Sequence, residues 1–92
     1  MSLQWLFDVI EDRKVNPSAG SYTASLFRDG LPKIAQKIGE EGAEVVVAAL
    51  VQSDERLIEE VADLTYHTLV LLSARGITPS QILAELEKRH RK

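Results

Sequence analysis

Two long segments with a helical hydrophobic period, joined by almost no loop, constrain this chain more than any other feature. The first runs from Leu31 to Gln52 and the second from Asp54 to Arg75, and both place apolar residues three and four positions apart, as amphipathic helices do. The apolar run stops at Ser53 and Asp54, residue types that cap the free N–H groups of a helix start. The sequence therefore predicts two long helices folded into an antiparallel hairpin.

Shorter helices are expected on either side of this hairpin. The first covers residues 3–13, and a loop rich in Pro, Ser and Gly follows over residues 14–20. A short helix, capped by Ser21 or Thr23, then ends at Gly30. The last helix begins at Thr78 and runs to about Arg89. We therefore expect an all-α fold with two long antiparallel helices and two or three shorter ones.

The composition excludes several classes of function. A chain of 92 residues is expected to form a single domain over residues 1–92. It has no cysteine, which excludes disulfides and thiolate zinc sites. The net charge of -3 gives no general attraction to nucleic acids or membranes. The longest apolar run, residues 43–51, is too short to span a bilayer, and without a signal-peptide pattern we expect a cytoplasmic protein.

The apolar surface of the two long helices exceeds what one hairpin can cover. The residues that widen it are Val46, Val47, Leu50 and Val51 in the first helix and Leu69, Val70, Leu71 and Leu72 in the second. A helix that is apolar almost all round is buried by additional partners. We therefore expect a homodimer in which two hairpins complete a four-helix bundle.

Each long helix also carries two acidic residues three positions apart, a spacing that puts both carboxylates on one helix face. These pairs are Glu41 with Glu44 and Glu60 with Asp63. Folding the chain back at Ser53 brings the two pairs to about the same level, so that four carboxylates converge. Two such charges ~5 Å apart repel by roughly 3 kcal/mol at an effective dielectric constant of ~20, and a divalent cation would remove that cost.

A helical wheel suggests which faces are buried. The expected core stripe of the first long helix is Leu31, Ile34, Ala35, Ile38, Gly42, Val45 and Ala49. That of the second is Leu57, Ile58, Val61, Leu64, Thr65, Thr68 and Leu72. Glu41 lies at the edge of the first stripe and Glu40 points away from it, whereas Glu60, Asp63 and His67 flank the second stripe and lead into apolar residues. We interpret the acids as the rim of a buried groove, the alternative being a solvated acidic face.

Carboxylate oxygens select hard cations such as Mg²⁺ or Mn²⁺, and zinc is disfavoured by two histidines and no cysteine. Two residues near the acidic pairs each have two possible roles. His67 either supports a metal ligand or is a packed or capping residue. Lys37 either forms an ion pair with Glu41 or contacts a phosphate group.

Three longer stretches add specificity to the acidic pattern Glu-Glu-x-x-Glu and Glu-x-x-Asp. They are residues 21–27, 37–41 and 62–72. Together with the acids they resemble the MazG-like all-α nucleoside triphosphate pyrophosphohydrolases and, among these, the phosphoribosyl-ATP pyrophosphatase family of histidine biosynthesis. The similarity extends over about residues 3–91, with Thr65 and Thr68 standing where larger apolar residues are expected.

The resemblance implies Mg²⁺-dependent hydrolysis of phosphoribosyl-ATP to phosphoribosyl-AMP and pyrophosphate. The metal ligands implied by it are Glu41, Glu44, Glu60 and Asp63. The proton acceptor would be Glu40 or one of the ligands, Glu41 among them. The implied substrate-binding residues are Lys37, Arg28 and Lys33 for phosphate and Ser21, Tyr22 and Thr23 for the phosphoribosyl or purine end.

Two other functions stay open from the sequence. One is a house-cleaning pyrophosphohydrolase that acts on (deoxy)nucleoside triphosphates and shares the acidic groove. The other is a non-catalytic helical dimerisation module whose acids form only a solvated face.

Overall fold

The computed structural model describes residues 1–90, and over this range the chain is helical with no strand. The five helices are α1 (Leu3–Val15), α2 (Tyr22–Asp29), α3 (Leu31–Val51), α4 (Asp54–Ala74) and α5 (Pro79–His90). The all-α prediction and the pairing of α3 with α4 are therefore confirmed. Arg91 and Lys92, the last residues of the predicted domain, lie outside the described residues.

Local capping groups set the helix starts. Ser53 Oγ accepts the Arg56 N–H at 3.2 Å, which fixes the hairpin turn where the sequence predicts it. Of the two caps considered for α2, Ser21 is the one used, because its Oγ accepts the Ala24 N–H at 3.1 Å.

The end of α4 and the start of α5 also follow from local chemistry. Gly76 has a φ of 71°, a conformation that favours glycine, and the Ile77 N–H donates to the Leu72 carbonyl at 2.9 Å, as in a Schellman motif. Thr78 then donates its N–H to Gln81 Oε1 at 2.8 Å, which is one half of a capping box. These contacts turn the chain so that α5 returns toward α1.

The hydrophobic core occupies one end of the hairpin, where α1 and α2 pack against the first turns of α3 and the last turns of α4. Its buried residues are Phe7, Ile10, Leu26, Ile34, Leu69, Val70 and Leu72. A polar contact joins the same elements: Lys14 Nζ donates to the Ser73 carbonyl at 2.9 Å, and the buried Ser73 hydroxyl donates to Glu11 at 3.0 Å. Lys14 thereby places a positive charge at the C-terminal end of α4, where the helix dipole favours it.

The predicted core stripes are wrong in part. On α4 the buried stripe contains Glu60, His67 and Val70, whereas Ile58 and Val61 are exposed. On α3 Ile34, Glu41 and Ala48 are buried, but three predicted core positions, Leu31, Ala35 and Ala49, are exposed. The reason is that both helices carry two apolar sectors, and the wheel took the sector that faces outward on this chain for the inner one.

The far half of the hairpin extends beyond the core and exposes large aliphatic side chains. These are Val46, Val47, Leu50 and Val51 on α3 and Ile58 and Val61 on α4. We call this set the distal apolar face. No helix within residues 1–90 has the length and apolar character needed to cross a bilayer.

Candidate metal and nucleotide site

Three carboxylates meet between α3 and α4, at the point where the core ends and the distal half of the hairpin begins. One oxygen atom each from Glu41, Glu60 and Asp63 lies within 4.8 Å of the others. Glu41 is 6% and Glu60 4% exposed, whereas Asp63 is on the surface. We call these three residues the acid cluster. The expected convergence of acids from both long helices is thus present, and two of the acids lie deeper than a rim position.

The two buried glutamates have the same arrangement of partners. Lys37 Nζ lies 3.5 Å from Glu41 Oε1, and Arg56 Nη2 lies 2.6 Å from Glu60 Oε1. The second oxygen of each carboxylate, Oε2, is buried and has no hydrogen-bond partner among residues 1–90. A buried carboxylate oxygen without a partner is costly, so these atoms are the strongest indication that the cluster holds a ligand.

The two remaining predicted acids are placed differently. Glu44 is exposed and lies outside the three-residue cluster, but the neighbouring Glu60 carboxyl raises the pKa of Glu44 above its ordinary value. Glu40 faces solvent, where the Gln36 amide donates to Glu40 Oε2 at 3.1 Å and lowers the pKa of that carboxyl. Glu44 therefore borders the cluster, whereas Glu40 lies on the neighbouring helix face.

Tyr22 and His67 form one wall beside the cluster. His67 Nδ1 lies 2.7 Å from the Asp63 carbonyl oxygen, which can only accept, so Nδ1 carries a proton. The Tyr22 hydroxyl lies 2.9 Å from His67 Nε2 and donates to it. Both ring nitrogens of this buried histidine are therefore used within the protein. Neither of these two bonds is made to a carboxylate of the cluster, which favours the packed interpretation of His67 over support of a metal ligand.

The Tyr22 ring itself remains available. Tyr22 is 50% exposed, its ring stacks with that of Tyr66 at 6.3 Å between centroids, and partial burial raises the pKa of its hydroxyl. Desolvation acts to lower the pKa of Lys37, but the neighbouring Tyr22 and Glu41 side chains outweigh it and raise that pKa. An aromatic face and an ammonium group therefore lie side by side at one end of the cluster.

The other predicted substrate-binding residues are distributed unevenly. Ser21 caps α2, and the Thr23 hydroxyl is hydrogen-bonded to the Tyr66 hydroxyl. Lys33 is exposed and its charge acts on Glu40. Arg28 lies in a separate basic groove on α1 and α2, so the structure does not bring it to the acids.

Arg56 contacts the cluster and was not selected from the sequence. It stands four residues before Glu60, as Lys37 stands four residues before Glu41. This repeated spacing is the signal that could have identified it, because residues four apart are neighbours on a helix face.

Comparison with known proteins is consistent with this geometry. A family model described as phosphoribosyl-ATP pyrophosphohydrolase matches residues 3–90. The chain belongs to the phosphoribosyl-ATP pyrophosphohydrolase family. The resemblance inferred from the acidic pattern and the three longer stretches is therefore confirmed.

Several relatives of this family align over nearly the whole chain, and each is named phosphoribosyl-ATP pyrophosphatase. The protein from Lacticaseibacillus casei is 55% identical, with 99% of this chain and 83% of that protein covered. The one from Clostridium botulinum strain Kyoto is 52% identical, covering 95% of this chain and 79% of that protein. The archaeal protein from Saccharolobus solfataricus is 48% identical, with 94% and 92% covered.

The acid cluster has the donor chemistry for a divalent cation in this pyrophosphohydrolase. All donors offered by Glu41, Glu60 and Asp63 are carboxylate oxygens, which are the ligands of Mg²⁺ and Mn²⁺. The two unpartnered Oε2 atoms would gain a partner when a cation binds between the helices. The donor chemistry of the cluster therefore fits a divalent cation.

Proposed function

We propose that this protein hydrolyses phosphoribosyl-ATP to phosphoribosyl-AMP and pyrophosphate, a step of histidine biosynthesis, with Mg²⁺ or Mn²⁺ held at the acid cluster. The observation that carries the proposal is the cluster of Glu41, Glu60 and Asp63, one carboxylate oxygen of each lying within 4.8 Å of the others. Glu41 and Glu60 each also bury a second oxygen that has no hydrogen-bond partner among the described residues. Family membership supports the choice of substrate, because the aligned relatives are named for that activity.

Glu41, Glu60 and Asp63 would hold the cation, and Glu44 at the border of the cluster would complete the ligand set. When bound, the ion would neutralise phosphate charge and make a water molecule a better nucleophile. Lys37, already 3.5 Å from Glu41 Oε1, would bind a phosphate oxygen near the cluster. The Tyr22 ring would support the nucleoside end, with Thr23 and Ser21 keeping α2 in place beneath it.

The chemical step breaks one phosphoanhydride bond. The oxygen of water forms a new bond to the α-phosphorus, and pyrophosphate leaves with the bridging oxygen. A carboxylate takes the proton from the attacking water. Glu41, which belongs to the cluster, and Glu40, on the adjacent surface, are the two residues proposed for this transfer. Comparing the pH profiles of kcat for Glu40→Gln and Glu41→Gln would identify the proton acceptor. Only the variant that lacks this carboxylate loses the acidic limb of the pH profile.

We also propose that the distal apolar face is covered by the same face of a second copy, giving a four-helix bundle. Leu50 is 78% and Ile58 68% exposed, and a contiguous aliphatic surface of this kind is unusual on a monomer. Light scattering after size exclusion would report the mass of wild type and of Leu50→Glu, with Val15→Glu on α1 as the control. A dimer that only Leu50→Glu dissociates is expected, and a monomeric wild type would refute the pairing.

Pyrophosphate release tests the activity itself. Purified protein would be assayed with Mg²⁺ on phosphoribosyl-ATP, ATP and a panel of deoxynucleoside triphosphates, alongside Glu60→Gln and the matched control Glu85→Gln on α5. We expect a strong preference for phosphoribosyl-ATP that Glu60→Gln alone abolishes. Equal cleavage of simple triphosphates would favour a house-cleaning enzyme, and no cleavage would favour a non-catalytic dimerisation module. The cytoplasmic location stays a prediction from the sequence.

A further inference from the structure

The acid cluster lies between two chemically different ends of the groove that separates α3 from α4. Lys37 precedes Glu41 on α3 and Arg56 precedes Glu60 on α4, each by four residues. Because the two helices run in opposite directions, their basic residues flank the cluster on opposite sides. The two ends of the groove therefore differ in chemistry, and this difference would select one orientation of a linear substrate such as a polyphosphate ester.

The first end is aromatic. Tyr22 is half exposed and stacks with Tyr66, and it lies close enough to Lys37, Glu41 and Asp63 for their charges to act on its hydroxyl. A planar base can pack against such an aromatic face.

The second end is a cavity of about 350 Å³ lined by both polar and apolar side chains. Its lining residues are Ala43, Glu44, Val47, Gln52, Arg56 and Glu60. None of these six side chains is aromatic, so the cavity offers no stacking surface for a base. The guanidinium of Arg56 and the amide of Gln52 are its side-chain hydrogen-bond donors.

Arg56 can bind an anion there without releasing Glu60. Its Nη2 lies 2.6 Å from Glu60 Oε1, and its Nη1 lies 2.6 Å from Glu59 Oε1. The Glu59 side chain is 59% exposed, and such surface ion pairs contribute little to stability. Nη1 can therefore exchange Glu59 for a phosphate oxygen, while Nη2 keeps the Glu60 carboxylate in place.

We propose that the cavity at Arg56 binds the pyrophosphate portion of the substrate, and that the nucleoside end lies toward Tyr22. This inference rests on the proposed function and adds the orientation of the substrate and a second anion-binding residue, Arg56. Because Glu44 and Glu60 also line the cavity, pyrophosphate enters it only together with a divalent cation, and its binding is cation-dependent.

Inorganic pyrophosphate is the direct probe. Its affinity would be measured by isothermal titration calorimetry at a Mn²⁺ concentration that saturates each protein, as established by a separate Mn²⁺ titration. Arg56→Gln is expected to weaken pyrophosphate about tenfold, as for loss of a hydrogen bond to a charged group, and to leave the affinity for phosphoribosyl-AMP unchanged. Tyr22→Leu is expected to do the reverse.

Two further variants keep the result interpretable. Arg89→Gln removes another arginine that pairs with a glutamate four residues away, at 3.1 Å from Glu85 on α5, and is expected to bind pyrophosphate as wild type does. Arg56→Lys keeps the charge and is expected to bind pyrophosphate more tightly than Arg56→Gln. Thermal melting of each variant checks that it is folded.

Three results would overturn the inference: an unchanged pyrophosphate affinity in Arg56→Gln, a lysine variant no better than the glutamine one, or equally tight binding in EDTA. A wild-type protein that binds pyrophosphate at Arg56 but does not cleave phosphoribosyl-ATP would instead refute the proposed function. The titration and the turnover assay therefore fail independently.

Discussion

Replacing Glu60 with glutamine is expected to change stability in opposite directions with and without a divalent cation. Glu60 is almost fully buried, and its carboxylate lies within 4.8 Å of those of Glu41 and Asp63. At that separation two charges repel by about 3 kcal/mol at an effective dielectric constant of ~20. Glutamine keeps the shape of the side chain and removes the charge.

In the absence of metal, the stability lost through the substitution is smaller than the stability gained by removing this repulsion. Glu60 loses its ion pair with Arg56, which is half exposed and keeps Glu59 as a second partner, so that about 1 kcal/mol is lost. In EDTA, Glu60→Gln is therefore expected to be more stable than wild type by about 2 kcal/mol. For a domain of this size that corresponds to a rise in Tm of roughly 10 °C.

Mg²⁺ should reverse the comparison. At a hundred times its Kd, a ligand that binds only the native state adds about 2.7 kcal/mol, which exceeds the difference of about 2 kcal/mol and would raise the Tm of wild type by roughly 15 °C. Glu60→Gln should gain almost nothing. Differential scanning calorimetry in EDTA and in MgCl₂ would test both signs, with KCl at equal ionic strength as the screening control and Glu85→Gln as the control variant.

Either of two outcomes would refute this reasoning. If Glu60→Gln is less stable than wild type in EDTA, the buried carboxylates are not in mutual repulsion. If wild type responds equally to MgCl₂ and KCl, the cluster does not bind the cation. Both results concern stability alone, so they do not depend on the identity of the substrate.

Three other substitutions test contacts that hold the site's supporting helices. Lys14→Met removes the charged donor to the Ser73 carbonyl and is expected to lower the free energy of unfolding, measured by urea denaturation, by about 1.5–3 kcal/mol. A decrease below about 0.5 kcal/mol would contradict a role of Lys14 in stabilising the C-terminal end of α4. Thr78→Ala removes the hydroxyl that accepts the Gln81 N–H at 3.4 Å and should lower the Tm by about 4–8 °C; an unchanged Tm would argue against that side-chain cap. Tyr22→Phe leaves the buried His67 Nε2 without its donor, at a cost of about 1–3 kcal/mol, but keeps the ring; an undiminished thermal stability would exclude this bond as a stabilising one.

The helix boundaries could be predicted because they depend on neighbouring residues. Ser53 caps α4, Gly76 ends it, and Thr78 begins α5, each through contacts within a few positions along the chain. The level of the acids follows from the same information. Once the turn is fixed at Ser53, the rise of an α-helix brings the pair Glu41 and Glu44 to within about one turn of the pair Glu60 and Asp63 without further knowledge of the fold.

Contacts between distant segments could not be predicted in this way. The Tyr22 and His67 side chains are 45 positions apart, and Lys14 and Ser73 are 59 apart. Hydroxyl and histidine side chains occur in many roles, and only the packing of α1 and α2 against α4 selects these pairs. The sequence could therefore indicate Tyr22 as a candidate site residue but not that its hydroxyl is used by His67.

The error in the predicted stripes has a physical origin in the acids themselves. A wheel assigns the most apolar sector to the interior, which on α4 is the sector of Ile58 and Val61. The chain instead turns Glu60 and His67 inward, because α2 supplies a hydroxyl for His67 and α4 itself supplies Arg56 for Glu60. Polar groups with such partners can be buried, and their burial turns the aliphatic sector outward.

This arrangement links the site to the outer surface of the hairpin. Successive residues of an α-helix point in directions about 100° apart, so that Glu60 faces inward while its neighbour Val61 is exposed. Rotating α4 to bury Val61 would expose the acid and separate it from Glu41 on α3. The inward position of the acids and the exposed distal apolar face are therefore two results of one helix rotation, and a partner that covers the face would also keep the carboxylates together.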